Sequence, residues 1–506
     1  MTENTASTEN TAPNENTATT ESTGANESTG TAELERLTAA ATAAAPIWRT
    51  SDAATRAGWL RALADALDAH ADELVEIADR ETRLGQVRLR GEVGRTTGQL
   101  RLFATVVEEG SYLELTVDDA DPSATPPRPE LRRLLVGIGP VAVFSASNFP
   151  FAFSVCGGDT ASALAAGNPV IVKAHSGHPD LSRRTAEVAI AALRDAGAPA
   201  GSLALVTGRA AGNALVQHPA IQAAGFTGSL SGGRALFDLA AGRPDPIPFY
   251  GELGSVNPVV LTPAAVTARG DALATGLVGS FTLGVGQFCT KPGVVFVPAG
   301  AGFEDAVGAA VAGAGGGPLL TERITEAFPS GIRSLLDDAS VEVLASGAET
   351  ADGARPVVLT TDAAAVAARA DVLLEEVFGP VTLLVRYSSE DELHAALRAV
   401  PGSLTATLHS EAGDEVAGTL ELLQARAGRV LFAGWPTGVA VTWSQQHGGP
   451  WPATTSLHTS VGATAIRRFL RPVAFQDAPA TLLPAPLRDE SLARLPHRRN
   501  GILVTP

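Results

Sequence analysis

Apolar residues recur at three- and four-residue spacing from about Leu34 to Val107, as in Ala53–Leu67 and Asp72–Glu81. That period predicts amphipathic helices. Between 111 and 136 the period is lost. Extended stretches flank a proline-rich turn, Asp121–Pro129, which predicts an arm or hairpin. From Leu135 short apolar runs alternate with helical patterns. Strands are predicted at Ile138–Ser145, Pro169–Ala174, Leu203–Thr207, Ile221–Thr227 and Phe249–Leu253. Helices are predicted between them at Phe151–Ala166, Asp180–Ala196, Gly212–Gln217 and Ser231–Ala241.

A βαβα rhythm of this kind implies a parallel sheet covered on both faces, with ligands at the carboxyl ends of its strands. A second α/β stretch runs from about Asn257 to Thr442, with a helix at Asp271–Leu283 and strands at Val294–Pro298 and Val381–Tyr387. Beyond Ala463 no period is readable. At the other end, residues 1–33 place Glu at 3, 9, 15, 21, 27 and 33 among Thr, Ser, Asn and Ala. This repeat has too little apolar surface to offset chain entropy, which predicts a disordered acidic tail.

Charge and composition narrow the classes. The chain has 506 residues, with 37 Lys+Arg against 54 Asp+Glu and a formal net charge of −17. A nucleic-acid-binding protein would show a basic stripe, so none is expected as partner. Two cysteines, Cys156 and Cys289, do not make a disulfide scaffold and suit a reducing compartment. No run of about 18 uncharged apolar residues suggests a membrane span. With no secretory pattern at the N-terminus either, a cytoplasmic location is expected. Only two of the basic residues are lysines, Lys173 and Lys291. A compact ammonium on a flexible stem is therefore worth seeking at both.

Cys156 lies in a run of small apolar residues and reads as core. Cys289 lies in Gly284-Val285-Gly286-Gln287-Phe288-Cys289-Thr290, where glycines permit close backbone approach and a backbone N–H can face an oxyanion. Glu252, between Gly251 and Gly254 at a strand end, can activate a water if it lies near the thiol, or is a turn glutamate. Asn148, after a strand and before Phe149-Pro150, is either an oxyanion donor or a helix-start asparagine. Phe226-Thr227-Gly228-Ser229 followed by Gly233 is a strand–turn–helix with backbone N–H groups suited to phosphate. Lys173, Ser176 and Arg209 all fall at strand ends, where they can form a pocket for a phosphate monoester. Lys291 either acts electrostatically on the thiol or points to solvent. No metal centre is read from these residues.

In this order and at these separations, Ser147-Asn148-Phe149-Pro150, Val172-Lys173, Phe226-Thr227-Gly228-Ser229, Glu252-Leu253-Gly254, Gly286-Gln287-Phe288-Cys289 and Glu375-Glu376-Val377-Phe378-Gly379-Pro380 resemble the aldehyde dehydrogenase superfamily. The resemblance covers about Leu34 to Pro486. Asn148–Thr160, Gly286–Thr290 and His447-Gly448-Gly449-Pro450-Trp451-Pro452-Ala453-Thr454-Thr455 are similar to the branch of 2,5-dioxovalerate (α-ketoglutaric semialdehyde) dehydrogenases and of some NADP-linked fatty aldehyde dehydrogenases.

This resemblance implies Cys289 as nucleophile, Glu252 as general base and Asn148 as oxyanion donor. It places Gly228, Ser229 and Gly233 at the cofactor pyrophosphate, Lys173 at the adenosine ribose, and Glu376 and Phe378 at the nicotinamide ribose. Ser176 replaces the acidic residue of many NAD-using members. With Arg209 beside it, NADP is expected over NAD.

The implied fold is α/β, with an NAD(P)-binding domain over 34–253, an oligomerisation arm over 112–136 and a catalytic domain over 254–445. A C-terminal segment, 446–506, returns to the cofactor domain and the oligomer interface. A homodimer is expected first and a tetramer next. The expected reaction takes 2,5-dioxovalerate to 2-oxoglutarate, with a medium- or long-chain aldehyde as the alternative substrate. A CoA-acylating enzyme typically lacks a base at the Glu252 position. A catalytically silent scaffold would not need nucleophile, base and oxyanion donor together.

Overall fold

The computed structural model describes residues 28–506. Most of the acidic repeat predicted as a tail therefore lies outside the described residues. Its last part is ordered, against expectation: the Thr29 N–H donates to the Thr207 carbonyl at 3.0 Å, and a helix begins at Thr31.

Four helices follow: α1 (Thr31–Thr50), α2 (Ala53–Ala69), α3 (Ala71–Thr82) and α4 (Gln86–Glu109). Their buried faces carry the three- and four-residue spacing of the sequence, with Trp48, Leu60, Leu63, Leu100 and Phe103 in one core. The Asp52 side chain caps α2 by accepting from the Thr55 N–H at 2.7 Å. On α4, Arg88, Glu92 and Arg95 stand at i, i+4 and i+7 and so share one face.

The arm is a hairpin. Strands β1 (Leu115–Asp118) and β2 (Leu131–Gly137) pair antiparallel around the proline-rich turn. Strands β3 (Val141–Phe144), β4 (Val170–Lys173), β5 (Leu203–Val206), β6 (Ala223–Thr227) and β7 (Phe249–Glu252) then form a parallel sheet in the order β5-β4-β3-β6-β7. Helices α5 (Gly158–Ala165), α6 (Pro179–Asp195), α7 (Arg209–Gln217) and α8 (Leu230–Ala241) connect them.

Two predicted elements start three or more residues late in the structure. The strand at 138–145 starts only at Val141, because Gly139 (φ +124°) and Pro140 break it. The helix predicted from Phe151 starts at Gly158. A Cβ on Gly157 would lie 2.4 Å from the Ala152 carbonyl oxygen, so residues 149–157 fold back as turns. That fold-back sets Phe149 and Phe153 edge to face, 5.5 Å apart.

A second sheet of seven strands comprises β8 (Val259–Leu261), β9 (Val294–Pro298), β10 (Glu342–Ser346), β11 (Val357–Asp362), β12 (Val381–Tyr387), β13 (Ser403–His409) and β14 (Ala427–Phe432), in the order β10-β11-β12-β9-β8-β13-β14. Its first helix, α9 (Pro263–Phe281), begins eight residues before the predicted start and bends at Arg269, whose Nε donates to Glu411 at 2.6 Å. The C-terminal stretch that carried no period is placed by pairing. Strand β15 (Leu470–Gln476) adds to β2, and β16 (His497–Arg499) to β1, with β17 (Ile502–Val504) at the edge.

Candidate active site

Cys289 lies in the loop between α9 and β9, and three successive residues before it take left-handed backbone: Gly284 (φ +56°), Val285 (φ +57°) and Gly286 (φ +67°). A β-branched residue in that region is strained, and strain of this kind persists only where surrounding contacts enforce it. Those contacts are visible. A Cβ on Gly286 would fall 2.2 Å from the Gly379 carbonyl oxygen. The Gln287 carboxamide accepts from the Leu320 N–H at 2.9 Å. The Asn257 amide donates to the carbonyls of Cys289 (2.8 Å) and Lys291 (2.9 Å). The thiol is half-buried, while Cys156 is buried and its thiol is pushed up to about 12 by burial.

Glu252, at the end of β7, is only 3% exposed and is brought to the same point. Between it and the sulfur stands His447, whose Nε2 is 3.6 Å from Cys289 Sγ and 2.7 Å from Glu252 Oε1. The Ser460 hydroxyl donates to Glu252 Oε2, and Arg468 braces this side through Asp159 at 2.7 Å and the Ser460 carbonyl at 3.4 Å. Burial alone would depress the His447 imidazole. The negative charges and hydrogen bonds of Glu252 and Cys289 outweigh it and lift the group to about 10. Burial alone would raise Glu252, but His447, Ser460 and Arg468 together hold it below the usual carboxylate value. Thiol, imidazole and carboxylate therefore form one relay, and their ligand atoms all lie within 4.8 Å of one another.

Sequence reasoning does not single out His447 or Ser460 for chemistry. The signal for the first is a histidine beside Gly448-Gly449, yet no spacing rule ties position 447 to 289. Asn148 reaches the same loop: its Nδ2 donates to the Gln287 carbonyl at 3.0 Å, which uses one of two amide hydrogens.

Lys291 does not point to solvent. It is buried and donates to the carbonyls of Val377 (2.8 Å) and Val381 (2.9 Å). Burial pushes its ammonium down and the nearby Glu376 carboxyl up, each opposed by the other's charge. Glu376 also accepts from the Ser255 backbone N–H. Lys291 thus ties the nucleophile loop to the segment that carries Glu376 and the half-buried Phe378.

Dinucleotide-binding candidates collect at the carboxyl ends of the five-stranded sheet. Ser229 caps α8, accepting from the Gly232 N–H at 3.3 Å, and the Gly228 N–H donates to the Glu252 carbonyl at 3.0 Å. A side chain at Gly233 would start 2.1 Å from Leu253, so the helix start packs against the strand that bears Glu252. Lys173 ends β4, half-buried, with its ammonium pushed down by burial. Ser176 is exposed in the turn that follows, and Arg209 is the exposed first residue of α7, beyond the end of neighbouring β5. A helix N-terminus, a cation and glycines at strand ends fit a dinucleotide.

The aldehyde dehydrogenase family profile matches residues 4–469. This chain belongs to the aldehyde dehydrogenase family. It is 48% identical over 481 residues to alpha-ketoglutaric semialdehyde dehydrogenase 2 of Azospirillum brasilense, covering 93% of this chain and 91% of that protein. It is 43% identical over 458 residues to alpha-ketoglutaric semialdehyde dehydrogenase of Acinetobacter baylyi, covering 89% and 87%. Among solved structures, the E. coli NADP dependent enzyme superposes with a TM-score of 0.74 at 25% identity, covering 88% of this chain and 90% of that one. This aldehyde dehydrogenase is therefore an NAD(P)-linked oxidoreductase with the fold its sequence implied. Among the described residues no helix is long and apolar enough to cross a membrane.

Proposed function

We propose that this aldehyde dehydrogenase oxidises 2,5-dioxovalerate to 2-oxoglutarate with NADP, through a covalent intermediate on Cys289. The observation that carries the chemistry is the contact of His447 with both Cys289 Sγ and Glu252. The substrate is supported by the names of the two relatives, and by their identity along almost the whole chain.

His447, lifted to about 10 beside Glu252 and therefore an imidazolium, stabilises the Cys289 thiolate by its charge. The sulfur bonds to the aldehyde carbon, and the free Asn148 amide hydrogen and the Cys289 backbone N–H stabilise the oxyanion. NADP, when bound, supplies the hydride acceptor. The Cys289 thioester is then hydrolysed by a water whose proton passes to Glu252, with the thiolate as leaving group. A carboxylate at this position favours hydrolysis over transfer to CoA.

Lys173, Gly228, Ser229, Gly233, Glu376 and Phe378 would hold the dinucleotide, with Ser176 and Arg209 receiving the 2′-phosphate. Likeness to the NADP dependent enzyme of E. coli supports NADP. A homodimer joined through the arm sheet is supported by its apolar edge, where Ile502 and Leu503 are exposed. A cytoplasmic location completes this reading.

Measuring kcat/KM for 2,5-dioxovalerate and for aliphatic aldehydes of several lengths, each with NADP and with NAD, tests it. The expected ranking puts 2,5-dioxovalerate with NADP first. A preference for long-chain aldehydes or for NAD would remove the corresponding half.

A further inference from the structure

The relay accounts for the aldehyde end of a substrate and leaves its other end without a partner. The walls beside Cys289 are aromatic. The Phe288 ring lies 5.2 Å from that of Phe149 and perpendicular to it, and Phe153 lies 6.4 Å from the His447 ring. Arginines cover these faces. The Arg88 guanidinium stands 5.0 Å from the Phe288 centroid, and Arg95 stands 5.3 Å from that of Phe153.

Arg88 is committed, since its Nη2 donates to the Asn148 carbonyl at 2.7 Å. Arg95 and Arg429 are not. In both, Nε and Nη2 are enclosed and have no hydrogen-bond partner among the described residues. Enclosed guanidinium N–H donors without an acceptor are costly, and arginine does not relieve the cost by losing its proton.

Burial acts to depress both guanidinium groups, and the charge of Cys289 acts on both in the opposite sense, which places each within electrostatic reach of the nucleophile. Glu92 and Glu252 also act on Arg95. Glu92 does not hydrogen-bond to it: its Oε1 accepts from the backbone N–H groups of Phe151 (2.8 Å) and Ala152 (3.0 Å), and its Oε2 has no hydrogen-bond partner among the described residues.

The two arginines come from different elements. Arg95 is on α4, and Arg429 is on β14, the edge strand of the seven-stranded sheet. A Cβ on Gly428, next to Arg429, would fall 1.9 Å from the Gly448 carbonyl, so this strand abuts the loop that carries His447.

We propose that Arg95 and Arg429 are the anchor for the carboxylate of an acid-tailed aldehyde, holding it while the aldehyde carbon meets Cys289. A guanidinium fork matches a carboxylate in geometry and charge. Two guanidiniums with donors that lack acceptors, in an otherwise acidic protein, select an anionic substrate over a neutral one of the same length. The inference rests on the 2,5-dioxovalerate reading above and names the residues that enforce it.

The test compares kcat/KM for 2,5-dioxovalerate and for pentanal, which has the same carbon count and no carboxylate. It uses the full chain and its Arg429→Gln, Arg95→Gln and Arg429→Lys variants. Each Gln substitution is expected to lower the ratio of the two values about 100-fold, mainly through KM for the acid. Arg429→Lys should restore part of the ratio.

Should a variant lose all turnover, alkylation of Cys289 by iodoacetamide gives the second readout. Glutarate is expected to protect the wild-type thiol and to lose that protection in the Gln variants. A ratio and a protection that survive both Gln substitutions overturn the anchor alone. A wild-type enzyme with no preference for the acid over pentanal overturns the substrate reading and the anchor together.

Discussion

The two ends of the candidate site are built differently. At the chemical end, Cys289, His447 and Glu252 come from three distant stretches of chain, two of the three are buried, and each is held by further contacts: Asn257 at the cysteine loop, Ser460 and Arg468 behind the glutamate. At the adenosine end, Ser176 and Arg209 are exposed single residues just beyond strand ends. The difference teaches what each end can tolerate. A cross-braced, desolvated relay has no alternative arrangement, so its loss is expressed in rate. Exposed residues at a loop contribute surface-scale energies and set a preference.

The largest expected effect comes from the nucleophile. Cys289→Ala should lower aldehyde oxidation at least ~10⁴-fold, read as steady-state formation of reduced cofactor. If turnover survived, the chemical end would be elsewhere.

His447→Gln should lower kcat about 10²- to 10³-fold with a smaller change in KM. It also carries a pH signature. The folded imidazole is raised to about 10 from an ordinary 6.5, so its contribution to stability is complete below pH 6.5, declines as pH rises and is gone above about 10. The stability margin of wild type over His447→Gln, measured by urea unfolding, should therefore narrow across that window. A constant margin would mean that the ion pair with Glu252 is not formed.

Lys291→Met sharpens the link between the nucleophile loop and the Glu376 segment. Removing a buried ammonium that donates two hydrogen bonds to carbonyls should cost about 3 kcal/mol in the same unfolding assay. A loss under ~1 kcal/mol would show that the loop is held by Asn257 and Gly286 without it.

The smallest effect belongs to the adenosine end. Arg209→Ala should shift the NADP-to-NAD ratio of kcat/KM about tenfold towards NAD, with little change in kcat. An unchanged ratio would remove Arg209 from 2′-phosphate recognition.

Local pattern settled much of this protein. The spacing of apolar residues showed helices α1–α4 as a helical region, and the apolar runs matched β9 and β12 to the residue, because side-chain period is imposed by which face is buried. Cys289, Glu252 and Asn148 were legible from motif text, and the structure brings all three to one point. Partnership was not legible. His447 meets Cys289 across 158 positions, Ser460 meets Glu252 across 208, and Arg95 and Arg429, whose Nε and Nη2 lack acceptors, look in sequence like any other arginines. The turns at 149–157 and the buried orientation of Lys291 also went against local expectation, because packing around the site overrode propensity. Residue type and period are written along the chain. Desolvation, unpaired donors and the sharing of a proton depend on atoms that only folding brings together.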